Sequence, residues 1–483
     1  MARVHLIYFD IDTGYYPGFH HGLAYLIGAL RADGHSVILS HLADEKDFFR
    51  LKNIWRRKVP NLIGLSFTTN QKKFVRRFFQ KMKLPQSLVI AGGVHATLVR
   101  EEVLEDFPQV NGICIGEGEY SLRELCRRLD KKEKYLDTPS FYWRTKTGVL
   151  KNPVMPLLDI DTLPFPDYSL FDYTKIIRDN GESFYMMLSR GCPYSCHYCC
   201  NHVIREVYPN KFKYVRFVSP RRAIDIIKHN LALYPQAQKI LFSDDTFTIN
   251  KAWLTEFCQL YKEEIGLPFL CNARVETIND EVAGSLKMAG CAMLGFGIES
   301  GSAWLRKYIL NRHHSNELIK KAFAIVRKHR LKTYVFNMVG LPFESKNMAE
   351  ETWKLNQELQ PDIGRVFYFY PFPGTQLYQL CREYGFLPAD LENVSGYLEA
   401  PALKEIFILH ADTRALFQKL HVYLTMRIIF SKLGIPLPLE AYLVKLMLLF
   451  RQPIFWLMAP HDSTNTLKRF KGWAYRLLLK HLE

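Results

Sequence analysis

Cys192, Cys196 and Cys199 fall within Gly191-Cys192-Pro193-Tyr194-Ser195-Cys196-His197-Tyr198-Cys199-Cys200, directly after the apolar run Phe184-Tyr185-Met186-Met187-Leu188. Three thiolates spaced C-x3-C-x2-C on a loop leaving a strand can hold three irons of a [4Fe–4S] cube, because soft sulfur suits iron and a short loop can wrap one cluster face. The fourth iron is then open to an external ligand. Structural zinc is the ordinary alternative for close-set cysteines, but zinc asks for four protein ligands and no second pair lies nearby. Cys200 is a poor fourth ligand, since adjacent cysteines rarely close a tetrahedron comfortably, and it reads as a bystander.

The remaining composition bounds the setting of this loop. A chain of 483 residues exceeds one typical core and suggests about three domains. Cys114, Cys126, Cys258, Cys271, Cys291 and Cys381 are scattered, which is no disulfide framework. The N-terminus, Met1-Ala2-Arg3-Val4-His5-Leu6-Ile7-Tyr8-Phe9-Asp10, has no signal-peptide pattern and runs straight into a strand, so a cytoplasmic location is expected. A net charge of +16 invites a nucleic-acid partner. The basic residues are nevertheless spread along helices, as in Arg56-Arg57-Lys58 and Arg76-Arg77, and a solvated helix face explains them better.

Residues 1–140 alternate apolar runs with helical stretches: Val4 to Phe9, Val37 to His41, Leu62 to Phe67, Leu88 to Ala91 and a weaker Gly112 to Ile115. This rhythm predicts a doubly wound parallel sheet with its ligand beyond the carboxyl ends of the strands. Those ends read Gly64-Leu65-Ser66-Phe67-Thr68, Ala91-Gly92-Gly93-Val94-His95 and Gly116-Glu117-Gly118-Glu119. Adjacent glycines admit a large ligand to the backbone, and Ser or Thr can hydrogen-bond it. A dinucleotide is disfavoured, because no G-x-G-x-x-G follows the first strand and Glu117 and Glu119 would oppose a pyrophosphate.

A proline-rich linker is expected over 141–180, followed by six strand–helix units over 181–390 with strands at Phe184–Leu188, Lys239–Ser243, Phe269–Ala273, Met293–Ile298, Thr333–Val339 and Arg365–Tyr370. Six parallel units suit a partial (β/α)6 barrel with chemistry at the strand C-termini. Polar residues stand at those ends: Asp244 and Asp245, Arg274, and Glu299.

The cysteine spacing, with aromatic Tyr198 before the last cysteine, resembles the radical S-adenosylmethionine (radical SAM) superfamily. The sequence of strand-end residues resembles its cobalamin-dependent branch, in which a flavodoxin-like, Rossmann-like cobalamin-binding domain precedes the barrel. The resemblance implies that the open iron chelates SAM, and that one electron cleaves it to a 5′-deoxyadenosyl radical. It also implies that Asp244 or Asp245 meets the methionine amino end, Arg274 the carboxylate and Glu299 the ribose, with Tyr198 beside them. The corresponding cobalamin contacts are Ser66, Thr68, Gly92, Gly93, His95, Gly116 and Glu117. The Asp-x-His-x-x-Gly signature that supplies a histidine to cobalt is absent, so no histidine lower ligand is expected. The reaction so implied is methylation of an unactivated carbon, while cyclisation or oxidation uses the same two modules.

Residues 391–483 are helix-like, apolar and basic, with no chemistry-bearing motif. The longest apolar stretch, Ala441 to Pro460, is broken by Lys445, Arg451, Gln452 and Pro453, which argues against a bilayer span. These helices are expected to cap the barrel or to lie on a membrane surface, the latter suiting a lipid-like substrate. An external one-electron reductant completes the expected partners. Methylthiolation of tRNA is a rival chemistry, but that group carries further cluster cysteines in its first domain, where this chain has only Cys114 and Cys126. The rival of another class is a non-catalytic corrinoid- or cluster-binding sensor.

Overall fold

The computed structural model describes residues 1–11, 18–394, 402–403, 417–427 and 443. The first sheet is built from β1 (Arg3–Phe9), β2 (Ser36–Leu42), β3 (Leu62–Ser66), β4 (Leu88–Gly92), β5 (Gly112–Cys114), β6 (Phe141–Thr145) and β7 (Gly148–Lys151), in the order β2-β1-β3-β4-β5-β6-β7. The first five pair in parallel, and this 2-1-3-4-5 order is the flavodoxin-like one, with its switch point between β1 and β3. Helices α1 (His21–Ala32), α2 (Phe48–Arg57), α3 (Lys72–Lys81), α4 (Val94–Val99), α5 (Glu102–Asp106) and α6 (Glu119–Lys131) form the crossovers.

Alternation along each strand sorts the side chains between two cores, as a period of two demands. Ile7 and Phe9 of β1 face Phe48 and Leu51 of α2 and Val75 and Phe78 of α3. Leu6 and Tyr8 face the opposite way, onto Leu23 and Ile27 of α1 and Leu125 of α6. That second core continues without a break into the barrel through Tyr168, Tyr173 and Phe184. The two halves of the molecule therefore share one hydrophobic interior, which fixes how their ligand sites face each other.

The first sheet does not stop at residue 140. Strands β6 and β7 form an antiparallel hairpin that adds to β5, so residues 141–151, expected in the linker, belong to the first sheet. Trp143 covers Gly112 of β5 and buries almost completely, which explains why the hairpin stays on the edge. The extended linker begins after it. The linker packs on α1, where Asp167 N donates to Ala24 O at 2.9 Å.

Helix α7 (Tyr173–Asp179) leads into the barrel, whose strands are β8 (Ser183–Met186), β11 (Lys239–Phe242), β12 (Phe269–Ala273), β13 (Cys291–Glu299), β14 (Lys332–Val339) and β15 (Ile363–Tyr368). A short ribbon of β9 (Ser189–Arg190) and β10 (Arg216–Phe217) sits between β8 and β11 and brackets the cysteine loop and α8 (Cys200–Arg205). All six barrel strands pair in parallel in chain order, with both edges open, as the sequence predicts for an incomplete barrel. The outer helices are α9 (Pro220–Leu233), α10 (Lys251–Glu264), α11 (Asp280–Met288), α12 (Asn316–Lys328) and α13 (Lys346–Leu359), followed by α14 (Gln376–Glu383). Their starts are capped by side chains, Asn279 accepting from Val282 N and Ser315 from Leu318 N, while α9 opens on Pro220.

Of the expected C-terminal helical domain, residues 417–427 are described, and they are helical. Phe417 stacks on Tyr368 of β15 at 4.2 Å, and Tyr423 meets Trp353 of α13. This segment thus packs against the last barrel strand and the helix before it. The apolar stretch 441–460 lies outside the described residues apart from Leu443. Among the described residues no helix is long and apolar enough to cross a membrane.

Candidate functional site

The cysteine loop leaves β9 through Gly191, whose φ of +83° and close approach to Tyr214 O leave no room for a side chain. The loop then turns over the carboxyl ends of the barrel strands. Each thiol has a polar neighbour from another segment or from the start of α8. Thr246 Oγ1 lies 3.9 Å from Cys192 Sγ, Arg274 Nη1 donates to Cys196 Sγ at 3.4 Å, and Asn201 N donates to Cys199 Sγ at 3.5 Å. Among the described residues no three His, Cys, Asp or Glu side chains converge on a single point. A cube requires no such convergence, since each thiolate takes a different iron, and the positive and N–H donors around the sulfurs suit a cluster of thiolates.

The other residues predicted at the barrel mouth gather around this loop. Tyr198 Oη donates to Glu299 Oε1 at 2.9 Å. Arg274 lies over the Tyr194 ring at 3.6 Å and pairs with Glu276, which also receives His314 at 3.1 Å. The two acidic neighbours separate. Asp244 is buried, its Oδ1 accepting from Leu188 N at 3.0 Å and from the Ser189 hydroxyl, and burial pushes its carboxyl up to about 7. Asp245 is exposed in the mouth and takes a hydrogen bond from Asn201.

Glu299 sits at the end of β13, where a bulge shifts the pairing with β14 and the residue adopts φ +65°. A non-glycine residue in that region costs energy and turns the side chain inward out of strand register. Burial pushes the Glu299 carboxyl up, and the guanidinium of Arg312 opposes the shift. Arg312 went unpredicted. It donates to Tyr198 Oη at 3.0 Å and to Gly297 O at 2.5 Å, and its Nε is buried without a partner. It lies in coil just after the π-helical turn Leu305–Ile309, where the sequence offers no periodic signal.

At the first sheet, Ser66 ends β3 and its Oγ faces Gly93, which has φ +91° and opens α4. Thr68 is exposed, and Gly92 and Gly93 are partly so. His95 is buried, with Nδ1 3.0 Å from Thr69 Oγ1, and desolvation pushes it down to about 4, leaving the ring neutral near pH 7. Its Nε2 and the nearby Asn70 Oδ1 are buried without partners. Unpaired buried polar atoms beside adjacent glycines fit a crevice that a ligand completes. Thr97, not singled out from sequence, bridges the β4 and β5 loops by donating to Gly93 O at 2.9 Å and accepting from Gly116 N at 3.1 Å.

Two of the residues expected at this crevice are engaged elsewhere. The space a side chain on Gly116 would need is taken by Tyr208 of the barrel half, and Tyr208 Oη accepts from Glu117 N at 2.8 Å. The Glu117 carboxylate pairs with Arg216 at 2.5 Å and Arg190 at 3.1 Å, while Arg190 also reaches Glu119 at 2.5 Å. Burial would raise the Glu117 carboxyl, but the two arginines outweigh it and hold it low. Gly116 and Glu117 are therefore contacts between the two halves of the molecule, because charge at this strand end meets arginines rather than open crevice.

The two crevices face the same space. Helix α4, opened by Gly93, packs on α8, which begins directly after Cys199. Gly374 of the β15–α14 loop fits against both, 3.1 Å from Leu98 O and 3.6 Å from Val203 as measured from the position of its missing Cβ.

The profile of the Radical SAM superfamily matches residues 186–355, and that of the B12 binding domain matches residues 10–126. The chain is 28% identical over 374 residues to the uncharacterized methyltransferase PH0819 of Pyrococcus horikoshii, covering 74% of this chain and 77% of that protein. It is 24% identical over 397 residues to the anaerobic magnesium-protoporphyrin IX monomethyl ester cyclase of Rubrivivax gelatinosus, covering 75% and 68%. The solved structure of the cobalamin-dependent S-adenosylmethionine radical enzyme OxsB, with aqua-cobalamin and S-adenosylmethionine bound, shares the fold with a TM-score of 0.69 at 17% identity over 99% of this chain and 75% of that one. With both domains present around the two crevices, the chain belongs to the cobalamin-dependent radical SAM enzymes, whose cofactors are a [4Fe–4S] cluster, S-adenosylmethionine and cobalamin.

Proposed function

We propose that the protein is a methyltransferase that carries a methyl group from SAM, by way of cobalamin, to an unactivated carbon of a small molecule. The observation that carries this reading is the packing of α4 on α8, which sets the glycine-lined end of β4 beside the cysteine loop. When bound, the cluster supplies the electron that cleaves SAM and cobalamin supplies the transferable methyl group. The substrate would enter between the halves, over the open mouth of the barrel.

In this reading Cys192, Cys196 and Cys199 ligate the cluster. Asp245, exposed in the mouth, accepts from the methionine ammonium, and Arg274 pairs with its carboxylate. Asp244 instead holds the backbone of Leu188 and the Ser189 hydroxyl, and so positions the strand from which the loop departs. Glu299 accepts from the ribose hydroxyls, held in place by Tyr198, with Arg312 opposing the upward push of burial on its carboxyl. Ser66, Thr68, Gly92, Gly93 and His95 line the corrinoid crevice.

The ten free cysteines suit a reducing cytoplasm. The apolar and basic composition of the last 90 or so residues supports a lipid-like substrate and contact with a membrane surface. Cosedimentation with anionic vesicles tests that contact.

Anaerobic reconstitution followed by ultraviolet-visible spectroscopy should show both cluster and corrinoid bands. Addition of SAM and dithionite should yield 5′-deoxyadenosine. With methyl-deuterated SAM, transfer of the label to substrate supports methylation, whereas product formation without label supports the cyclase or oxidoreductase reading. An intact cluster that yields no 5′-deoxyadenosine above background supports the non-catalytic sensor.

A further inference from the structure

The cluster needs an electron from outside the chain, and one exposed stretch of surface leads directly into a residue bonded beside the cysteine loop. Residues 209–213, Pro-Asn-Lys-Phe-Lys, are all exposed, and Phe212 is fully so at 101% relative accessibility. This aromatic ring lies between two lysines, Lys211 and Lys213, and aromatic residues, Phe among them, are enriched at the cores of protein interfaces relative to the rest of the surface. Lys211 pairs with Glu206, whereas Lys213 has no carboxylate partner among the described residues.

The residue that follows this stretch is bonded to the start of the helix after the cluster loop. One residue past Lys213 the chain turns inward at Tyr214, which is 5% exposed. Its hydroxyl donates to Asn201 Oδ1 at 3.0 Å, and the Asn201 N–H donates to Cys199 Sγ at 3.5 Å. Arg205, on the same side, is anchored to the loop through Pro193 O at 2.9 Å and Ser195 Oγ at 2.8 Å. The path from the exposed Phe212 to a cluster sulfur thus runs along the backbone through Lys213 to Tyr214, from the Tyr214 hydroxyl to the Asn201 side chain, and from the Asn201 main chain to Cys199.

We infer that residues 209–213, with Phe212 as anchor and Lys211 and Lys213 as its charged rim, are the docking face for a small acidic protein that carries a low-potential one-electron centre near its surface. Charge complementarity selects this occupant: the patch is basic on a chain of net charge +16, and electron-transfer partners use small interfaces steered by opposite charge. One electron passes from the donor, which is oxidised, to the cluster, which is reduced. This inference rests on the radical SAM reading, and the test separates the two.

The reconstituted full-length protein is assayed for 5′-deoxyadenosine with either dithionite or reduced flavodoxin as donor, and for flavodoxin affinity by surface plasmon resonance. Phe212→Ala and the double variant Phe212→Ala, Lys213→Glu change only exposed side chains. The double variant should bind flavodoxin about 10-fold more weakly, lose flavodoxin-driven rate at subsaturating donor by the same factor, and keep the dithionite-driven rate. The wild-type flavodoxin rate should fall with added salt more steeply than the variant rate. Unchanged flavodoxin affinity and rate in the double variant would overturn the inference, as would an equal loss with dithionite, which would make the segment a support for the cluster. Loss of bulk tRNA binding in the variants with flavodoxin kinetics intact would assign the face to nucleic acid and overturn it too. Absence of 5′-deoxyadenosine from wild type with dithionite would instead sink the catalytic reading.

Discussion

The Tyr198 hydroxyl donates to Glu299 Oε1 over 2.9 Å, joining the cysteine loop to the end of a barrel strand 101 residues further along the chain. The same hydroxyl accepts from Arg312, so three side chains form one buried unit. Tyr198→Phe removes only the hydroxyl and leaves the ring. A hydrogen bond to a charged group contributes about 1.5–3 kcal/mol, so the variant should bind SAM at least about 10-fold more weakly while its iron content stays at the wild-type level. Equilibrium binding of SAM to the reconstituted protein checks this, and an unchanged Kd removes Glu299 from the binding site.

Donors around the sulfurs should set the ease of reduction. Hydrogen bonds to thiolates stabilise the more negative, reduced cluster and raise its potential. Asn201→Leu removes a side-chain amide 3.8 Å from Cys199 Sγ, and Tyr214→Phe frees that amide to turn. Both should lower the potential in an EPR-monitored redox titration, Asn201→Leu by more. A shift to higher potential in either variant contradicts the assignment.

The charged latch of Glu117, Arg190 and Arg216 should hold the halves together. Removing one member of a largely buried pair leaves its partners uncompensated at a cost on the order of 3 kcal/mol. Glu117→Ala should therefore unfold at lower temperature than wild type, with Glu117→Gln in between because the amide oxygen still accepts one hydrogen bond. Thermal melts of the apo chain read this directly. Equal melting of Glu117→Ala and wild type means the latch is not needed.

Glu344 gives a pH dependence of known sign. One of its carboxylate oxygens accepts from Gly340 N at 2.6 Å and Leu341 N at 3.3 Å, the other is buried without a partner, and burial pushes the group up from 4.5 to about 7. Between those values the folded chain holds a proton that the unfolded chain releases, so wild-type stability falls as pH rises from about 4.5 to about 7. Glu344→Gln is neutral throughout. Its melting temperature should match wild type at pH 5 and exceed it by a few degrees at pH 8, and the opposite trend would falsify the protonation argument.

Much of this architecture could be read from the chain. The cysteine spacing stands in one short segment, and the parallel strands announce themselves as apolar runs at a regular interval. What stayed hidden depends on pairings across long stretches of chain. The β6–β7 hairpin lacks a partner in its own neighbourhood and is recognisable only once Trp143 covers Gly112. Glu117 looked like a ligand contact because a carboxylate at a strand end is the same letter whether it meets a cofactor or arginines, and Arg190 and Arg216 come 73 and 99 residues later. Arg312 has no pattern around it at all, and its role arises from the bulge that swings Glu299 inward.

The fit of Gly116 beneath Tyr208 bears on how such proteins can be recombined. A first domain transplanted from a relative would meet the Tyr208 ring wherever it carried any residue larger than glycine at this point, since the missing side chain would lie 2.5 Å from the hydroxyl. Chimeras should assemble only when donor and recipient agree on this single pairing of absence and ring, whatever their similarity in the rest of the sheet.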